Sequence, residues 1–574
     1  MYKDVMNRNK NRLFKACLFL AIALPLFAQT AYVRTTTNTN PWVDSGAHGA
    51  AAWAATDKYI EVFPDTQYQT MLGFGGCFQE RMWDALNYCS VAGRDSVIRA
   101  LFDTSGCNFN WGRVPVGCCD FDNNSAPLSL NDSSGDYQMK YFSLARDSLK
   151  RIPLIKLAQA YQPSMRFWAS PWSPPAWMKS NNSFLGGNMK SDSATLAAYA
   201  LYLEKFVKGY QARGITIESI TCQNQPDQAV DPYPECGWSN ALEKTFYKSY
   251  LIPRFKQDSV NAGVLLGVYI SNSYADWITY FMQDSAIANF VNFTSHAFES
   301  NSWGPQAYVD YSTIPFMQTE SNWKGGPDWA TGVSQFNDLA KFTSTGRASV
   351  FTEWNMVNNQ TSKSCWDWAQ CIMINIDTTN GKIAYNPYFY AAKHFGHYVK
   401  VHAKAIKFTN NGLTKLTSAA FCNPDGDIIL NVGNADSCAT SVTTKIGNRM
   451  VVVTMPANSF NTLRIVGANA VREMGPQTRS APTLGAARIR NSMLYFTVPA
   501  SLDAREMILT LTDLQGRAIW TGRIGADQIH GRQQVVAIRS PCGGLHPGTY
   551  ILNVKIKNKA STVTMVERKV SAVN

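Results

Sequence analysis

Two glutamates close apolar runs in this chain: Glu320 ends "IPFMQTE" and Glu353 ends "SVFTE". Two carboxyls facing each other across a pocket can cleave a glycosidic bond, because one must protonate the leaving oxygen and one must trap the cation-like sugar. Glu320 fits the trapping role, since a carboxylate held by neighbouring donors stays ionised and nucleophilic. Glu353 competes for that role, or is a structural acid paired with Arg113, and spacing alone does not separate the two. A third stretch, "IESITCQNQPDQ", climbs an apolar run and stops on Asn224-Gln225-Pro226, setting an amide at a turn-forming proline. An amide has no titration near neutral pH and donates no useful proton.

These residues need a frame that brings them together. From Gln69 onward, eight short apolar runs alternate with stretches of helical period such as "SDSATLAAYALYLEKFVKGYQARG". The runs are "QTMLGFGGCF", "NFNWGRVPVG", "MRFWASPW", "IESITCQNQP", "GVLLGVYIS", "FVNFTSHAF", "IPFMQTES" and "ASVFTEWNM". Eight βα units predict an α/β fold, a closed (β/α)8 barrel over residues 65–396, whose chemistry sits at the C-terminal ends of its strands. Those ends carry Arg113, Trp172, Asn224, His296, Glu320 and Glu353. Any one of them could merely cap a strand, but so many together point to one functional face. After "YFYAAKHFGHYVK" the chain turns to alternating β segments, which predicts a β-sandwich over 397–466, joined by a contribution from 29–64. A linker rich in Pro, Gly and small residues, 467–487, leads to an all-β module over 488–574.

At 574 residues the chain exceeds what one hydrophobic core serves. Its 45% hydrophobic content, 16% charged residues and 16 Trp describe a globular protein with aromatic surface to spare. The net charge of +12 looks like a nucleic-acid signal, but it is carried by the ends. Residues 1–28 hold five Lys/Arg against Asp4, residues 467–574 hold 14 Lys/Arg against six Asp/Glu, and the body between is balanced. No nucleic-acid partner is expected of such a body. A basic start followed by "ACLFLAIALPLF" and Ala28-Gln29 reads as a signal peptide over 1–28, placing the mature protein outside the cytoplasm or at the cell surface. That run is shorter than the ~20 apolar residues of a membrane span and contains Pro25, so no span is expected. The 13 Cys show no metal-ligand spacing, and neither a metal nor another cofactor is expected. Cys422 and Cys438 are placed either to bridge or to stand as reduced thiols.

The motifs, in order, resemble glycoside hydrolase family 30, the group of lysosomal-type glucosylceramidases, β-xylosidases, glucuronoxylanases and endo-β-1,6-glucanases. The resemblance runs through "GFGGCFQERMWDAL", "RVPVGCCDF", "ASPWSPPAWMKSN", "QNQPDQ", "PYPECGW", "MQTESN", "FTEWNM" and "NPYFYAAKHFGHYV", covering roughly Tyr32 to Val466. It implies a retaining β-glycosidase on a barrel fused to a sandwich built from both ends of the catalytic unit, with a β-linked glycan or glycoside as substrate. It also implies that Glu320 is the nucleophile. Glu353, Trp354 and Asn355 would then wall the sugar site, with Arg113, Asp120, Trp172 and Asn224 as further subsite residues. His296 matches a family His, followed by Phe298 where many relatives have Tyr. The tail, through "LTDLQGRAIW" and "LHPGTYILNV", resembles modules that route secreted enzymes to the cell surface through export machinery or envelope contact; an accessory β-sandwich is the alternative.

The family's acid/base motif is Asn-Glu-Pro, and this chain has Asn224-Gln225-Pro226. Three readings follow: a glycosidase in which Asp227, Glu235, another loop carboxylate, a substrate group or an exogenous acid supplies the proton; a carbohydrate-binding or adhesion protein that lost turnover; or a replacement introduced into an ordinary enzyme.

Overall fold

The computed structural model describes residues 29–467, apart from 229–232, 270–273, 297–312, 322–324, 362, 365 and 368, and beyond them the backbone of seven strands between 487 and 573. Residues 1–28, where a signal peptide is expected, nearly all of the expected linker and Phe298 lie outside the described residues. The chain divides into two compact units, 1–471 and 472–574.

Each of the eight apolar runs contains one strand of a closed parallel barrel: Gly73–Cys77, Trp111–Val116, Arg166–Pro171, Ile217–Ile220, Gly263–Leu266, Val291–His296, Phe316–Ser321 and Ala348–Glu353. Closure comes from the eighth strand pairing with the first, Val350 with Gly73 through Glu353 with Gly76. The strands are buried on both faces, as the uninterrupted apolar runs require. Inside, Trp111, Trp168, Leu265, Val268, Phe293, Met317 and Val350 form a packed plug, so the barrel is a core and not a pore. The glycines of the first strand permit close packing: a Cβ on Gly75 would lie 1.9 Å from the carbonyl oxygen of Trp111.

Several of the surrounding helices start where the sequence supplies caps. Asp192 accepts from the Thr195 amide at the head of Ser193–Gln211, and Asp328 accepts from Thr331 at the head of Trp329–Thr343. A three-stranded sheet, Val357–Asn359, Ile374–Ile376 and Ile383–Tyr385, follows the eighth strand, and periodicity did not reveal it.

Ten strands form the second layer system of this unit, and segments on both sides of the barrel in the sequence contribute. Thr30–Thr37 pairs antiparallel with Ser459–Val466, and Tyr59–Thr70 pairs with Lys404–Asn411. Ala31, Val33, Ile60, Val62, Leu430 and Leu463 lie in its core. His394, on helix Pro387–Gly396, joins sandwich to barrel through contacts with Thr462 Oγ1 at 2.8 Å and Thr36 Oγ1 at 3.0 Å. Burial lowers its pKa to about 3, which leaves the ring neutral in that joint. Cys422 and Cys438 are both free thiols. The carboxy-terminal unit is a seven-stranded sheet, with Glu506–Thr512, Gly548–Lys557 and Thr562–Val573 at its centre.

Candidate active site

Arg113 organises the C-terminal mouth of the barrel. It rises from the second strand, fully buried, and its guanidinium reaches the third and seventh strands and the turn after the fourth. Nε and Nη2 donate to Ser170 Oγ at 3.1 and 3.0 Å, Nη2 donates to Asn224 Oδ1 at 2.6 Å, and Nη1 donates to Glu320 Oε2. The rings of Trp168, Trp172 and Trp354 lie 4.7, 4.3 and 5.1 Å from its central carbon. Planar donors and aromatic faces on one cation are what guanidinium chemistry allows and an ammonium does not.

Glu320 ends the seventh strand with 5% of its surface exposed. Burial raises its carboxyl above the ordinary range, and the charge and hydrogen bond of Arg113 work against that rise. Glu353 ends the adjacent strand but has different company. It accepts from Ser321 Oγ and Tyr388 Oη at 2.6 Å each, and from Gln335 Nε2 at 2.7 Å. Among the described residues no cation shares that set, and burial pushes its pKa up to about 7. Arg113 therefore pairs with Glu320, and the Arg113–Glu353 pairing allowed by the sequence is not formed.

The segment 353–355 divides its side chains. Trp354 stacks on Trp172, with centroids 5.0 Å apart and planes at 23°, and meets Phe121 edge-on. Glu353 turns to the network above, while Asn355 accepts from Gln79 and donates to Gln370 at 2.8 Å. Of the three residues expected to wall the sugar site, Trp354 joins the aromatic cluster, and the other two are engaged with protein partners beside it.

Asp120 follows the second strand, and its Oδ1 is buried without a hydrogen-bond partner. Burial first, and then the Glu320 charge, drive its carboxyl well above the usual range. Its loop is fixed by Asp122, which accepts from the amides of Glu80 at 2.6 Å and Cys119 at 2.9 Å and from Arg151 Nη2 at 2.5 Å.

Gln225 lies beyond the fourth strand and is 7% exposed. Its backbone is strapped on both sides: Asn224 N donates to Pro171 O at 2.7 Å, and Gln225 N donates to Val268 O at 3.0 Å. Its φ is +50°, a left-handed conformation that non-glycine residues hold mainly where the surroundings impose it, often at functional sites. Of the carboxylates considered as substitutes, Asp227 acts electrostatically on Glu243, and Glu235 is buried beside Cys236 and Tyr233. His296 ends the sixth strand, its backbone in register with Gln318.

Tyr233 was missed by sequence reasoning. It packs against the cluster of Phe121, Trp172 and Trp354; burial raises its phenol pKa, and the Asp120 and Glu320 charges raise it further. Its one signal is an aromatic in the loop "AVDPYPECGW" after the fourth strand. Ser170, Gln335 and Tyr388 carried none.

The geometry meets its family here. Residues 71–399 match the glycosyl hydrolase family 30 TIM-barrel domain, and residues 402–463 match the family 30 beta sandwich domain. The chain belongs to glycosyl hydrolase family 30. Among family 30 relatives it is similar to the lysosomal acid glucosylceramidase of Mus musculus, at 23% identity over 67% of this chain and 78% of the mouse protein. The fold is shared with SrfJ from Salmonella typhimurium, with TM-score 0.71, 24% identity and coverage of 76% of this chain and 99% of that one. It is shared also with the endo-beta1,6-glucanase BT3312, with TM-score 0.66, 21% identity and coverage of 76% and 98%.

Proposed function

We propose that this family 30 protein cleaves β-linked glycosides by a retaining route in which Glu320 is the nucleophile. The observation that carries the proposal is the Arg113 bridge, which ties the seventh-strand carboxylate to Asn224, the neighbour of Gln225, on the opposite side of the mouth. In the reaction Glu320 attacks the anomeric carbon, and Arg113 stabilises its charge before attack. Asp120 accepts from a sugar hydroxyl at its unpartnered oxygen, and the Trp172–Trp354 stack supports the apolar face of the ring. Gln225 hydrogen-bonds the leaving atom without protonating it. The relatives favour a β-glucosyl unit, and the amino-terminal segment favours work outside the cytoplasm. The basic carboxy-terminal module favours retention through export machinery or the cell envelope.

Gln225 itself favours a second reading, a glycan-binding protein without turnover. An activated 2-deoxy-2-fluoro β-glycoside separates the two. Covalent labelling of Glu320 supports the enzyme, whereas saturable glycan binding without labelling, unchanged in Glu320→Ala, supports the binding protein.

A further inference from the structure

A retaining site with an intact nucleophile and no general acid selects its substrates by their leaving groups. General acid assistance is worth typically about 10²–10⁴ in rate, and it matters most when the departing oxygen would otherwise leave as a strongly basic alkoxide. A leaving atom that is stable as an anion needs little of that help.

Position 225 holds an amide, and the acids described around the mouth stand at other positions. Asp227 lies within electrostatic reach of Glu243, on the helix Asn240–Phe246 that follows the fourth strand, and its charge raises that carboxyl. Glu353 spends both oxygens on Ser321, Tyr388 and Gln335. Asp120 belongs to the second-strand loop, and Tyr233 is a phenol made less acidic by burial and by two carboxyls. Glu235 is the remaining carboxyl, buried with 1% exposure in the fourth-strand loop next to Tyr233 and Cys236. Against this, Gln225 is held by two backbone hydrogen bonds in a left-handed conformation, next to the Asn224 that Arg113 joins to Glu320.

We infer that the site acts on β-glycosides whose leaving group departs as a stable anion, a phenolate or a thiolate, in preference to sugar–sugar or alkyl glycosides. The inference rests on the retaining reading above. In the first step the bond between Glu320 Oε and the anomeric carbon forms as the bond to the leaving atom breaks, and both electrons go with the phenolate or thiolate. In the second, the oxygen of water bonds to the anomeric carbon, the electron pair of the ester bond returns to Glu320, and the water proton passes to solvent or buffer base. An acceptor that is already anionic has no proton to lose and shortens that second step. The Gln225 amide donates a hydrogen bond to the departing anion and accepts one from the incoming water, and it holds no charge in either step.

The test uses the full chain with matched para-nitrophenyl, thiophenyl and methyl β-glycosides of glucose, xylose, galactose and fucose. For the sugar that reacts, the aryl and thioaryl glycosides are expected to form the Glu320 adduct at least about a hundredfold faster than the methyl glycoside, with azide speeding product release. Gln225→Glu is expected to raise methyl glycoside cleavage at least about a hundredfold and to leave aryl adduct formation within a few-fold. Methyl glycoside cleavage within tenfold of the aryl rate overturns the inference while leaving the retaining reading intact. Loss of that cleavage in Glu235→Gln identifies a surrogate acid and also overturns it. No adduct on Glu320 with any aryl sugar overturns the retaining reading and this inference together.

Discussion

Arg113 Nη1 donates to Glu320 Oε2 in an ion pair with the arginine side chain 0% and the glutamate side chain 6% exposed. A buried pair of this kind adds little net stability, because desolvation of both ions offsets their attraction. Its use here is chemical. It opposes the rise that burial imposes on the Glu320 carboxyl, and the same guanidinium holds Asn224 in place.

Arg113→Lys keeps the charge and loses the fork that spans Ser170, Asn224 and Glu320. Loss of one preorganised electrostatic donor costs about 10²–10³ in rate at such sites. A drop of that size in phenol release from an aryl glycoside, measured in a single turnover, is the expected result.

Glu320 must be ionised to attack. Burial sets its pKa above 4.5, so the single-turnover rate should fall as pH drops through a midpoint above 4.5. Arg113→Met removes the group that opposes this rise, and the midpoint should move further up. A pH–rate profile of aryl glycoside cleavage for both proteins checks the direction.

Glu353 gives a stability signature. Its folded pKa of about 7 exceeds the ordinary carboxyl value of 4.5, so between these values the native state binds more protons than the unfolded chain. Stability contributed by this group is therefore present at low pH and lost as pH rises to about 7, amounting to roughly 3 kcal/mol at 1.36 kcal/mol per unit. Glu243, also raised to about 7, acts in the same sense. Urea unfolding at pH 5 and pH 8 should show a smaller difference in Glu353→Gln than in the wild type.

The loop that carries Asp120 depends on Arg151, fully buried between Asp122 and Asp147. Arg151→Met leaves two buried carboxyls without their cation, and breaking such a pair costs about 3–5 kcal/mol. Chemical denaturation should show that loss. Asp120→Asn exchanges one carboxyl oxygen for an amide donor and should weaken glycan binding by about 0.5–1.5 kcal/mol, the worth of a hydrogen bond between neutral groups, as read by calorimetry.

The barrel was legible because strands buried on both faces leave continuous apolar runs, and residues at their C-terminal ends share one mouth by construction. The choice between Glu320 and Glu353 was not legible from spacing. Both end strands, and only the partner sets, guanidinium for one and hydroxyls and an amide for the other, tell them apart. Asn355 looked like a sugar contact because it adjoins Trp354, yet its side chain is taken by Gln79 and Gln370. Tyr233 escaped notice because loop conformation, which no periodicity encodes, carries it to the carboxyls.

The central claim is that Glu320 is the nucleophile of a site whose Gln225 supplies no proton. Peptide mass analysis after inactivation with an activated 2-deoxy-2-fluoro β-glycoside tests it most directly. A single glycosyl adduct on Glu320, formed without help from an acid at position 225, is the expected result; an adduct on Glu353, or none with any sugar tried, would contradict it.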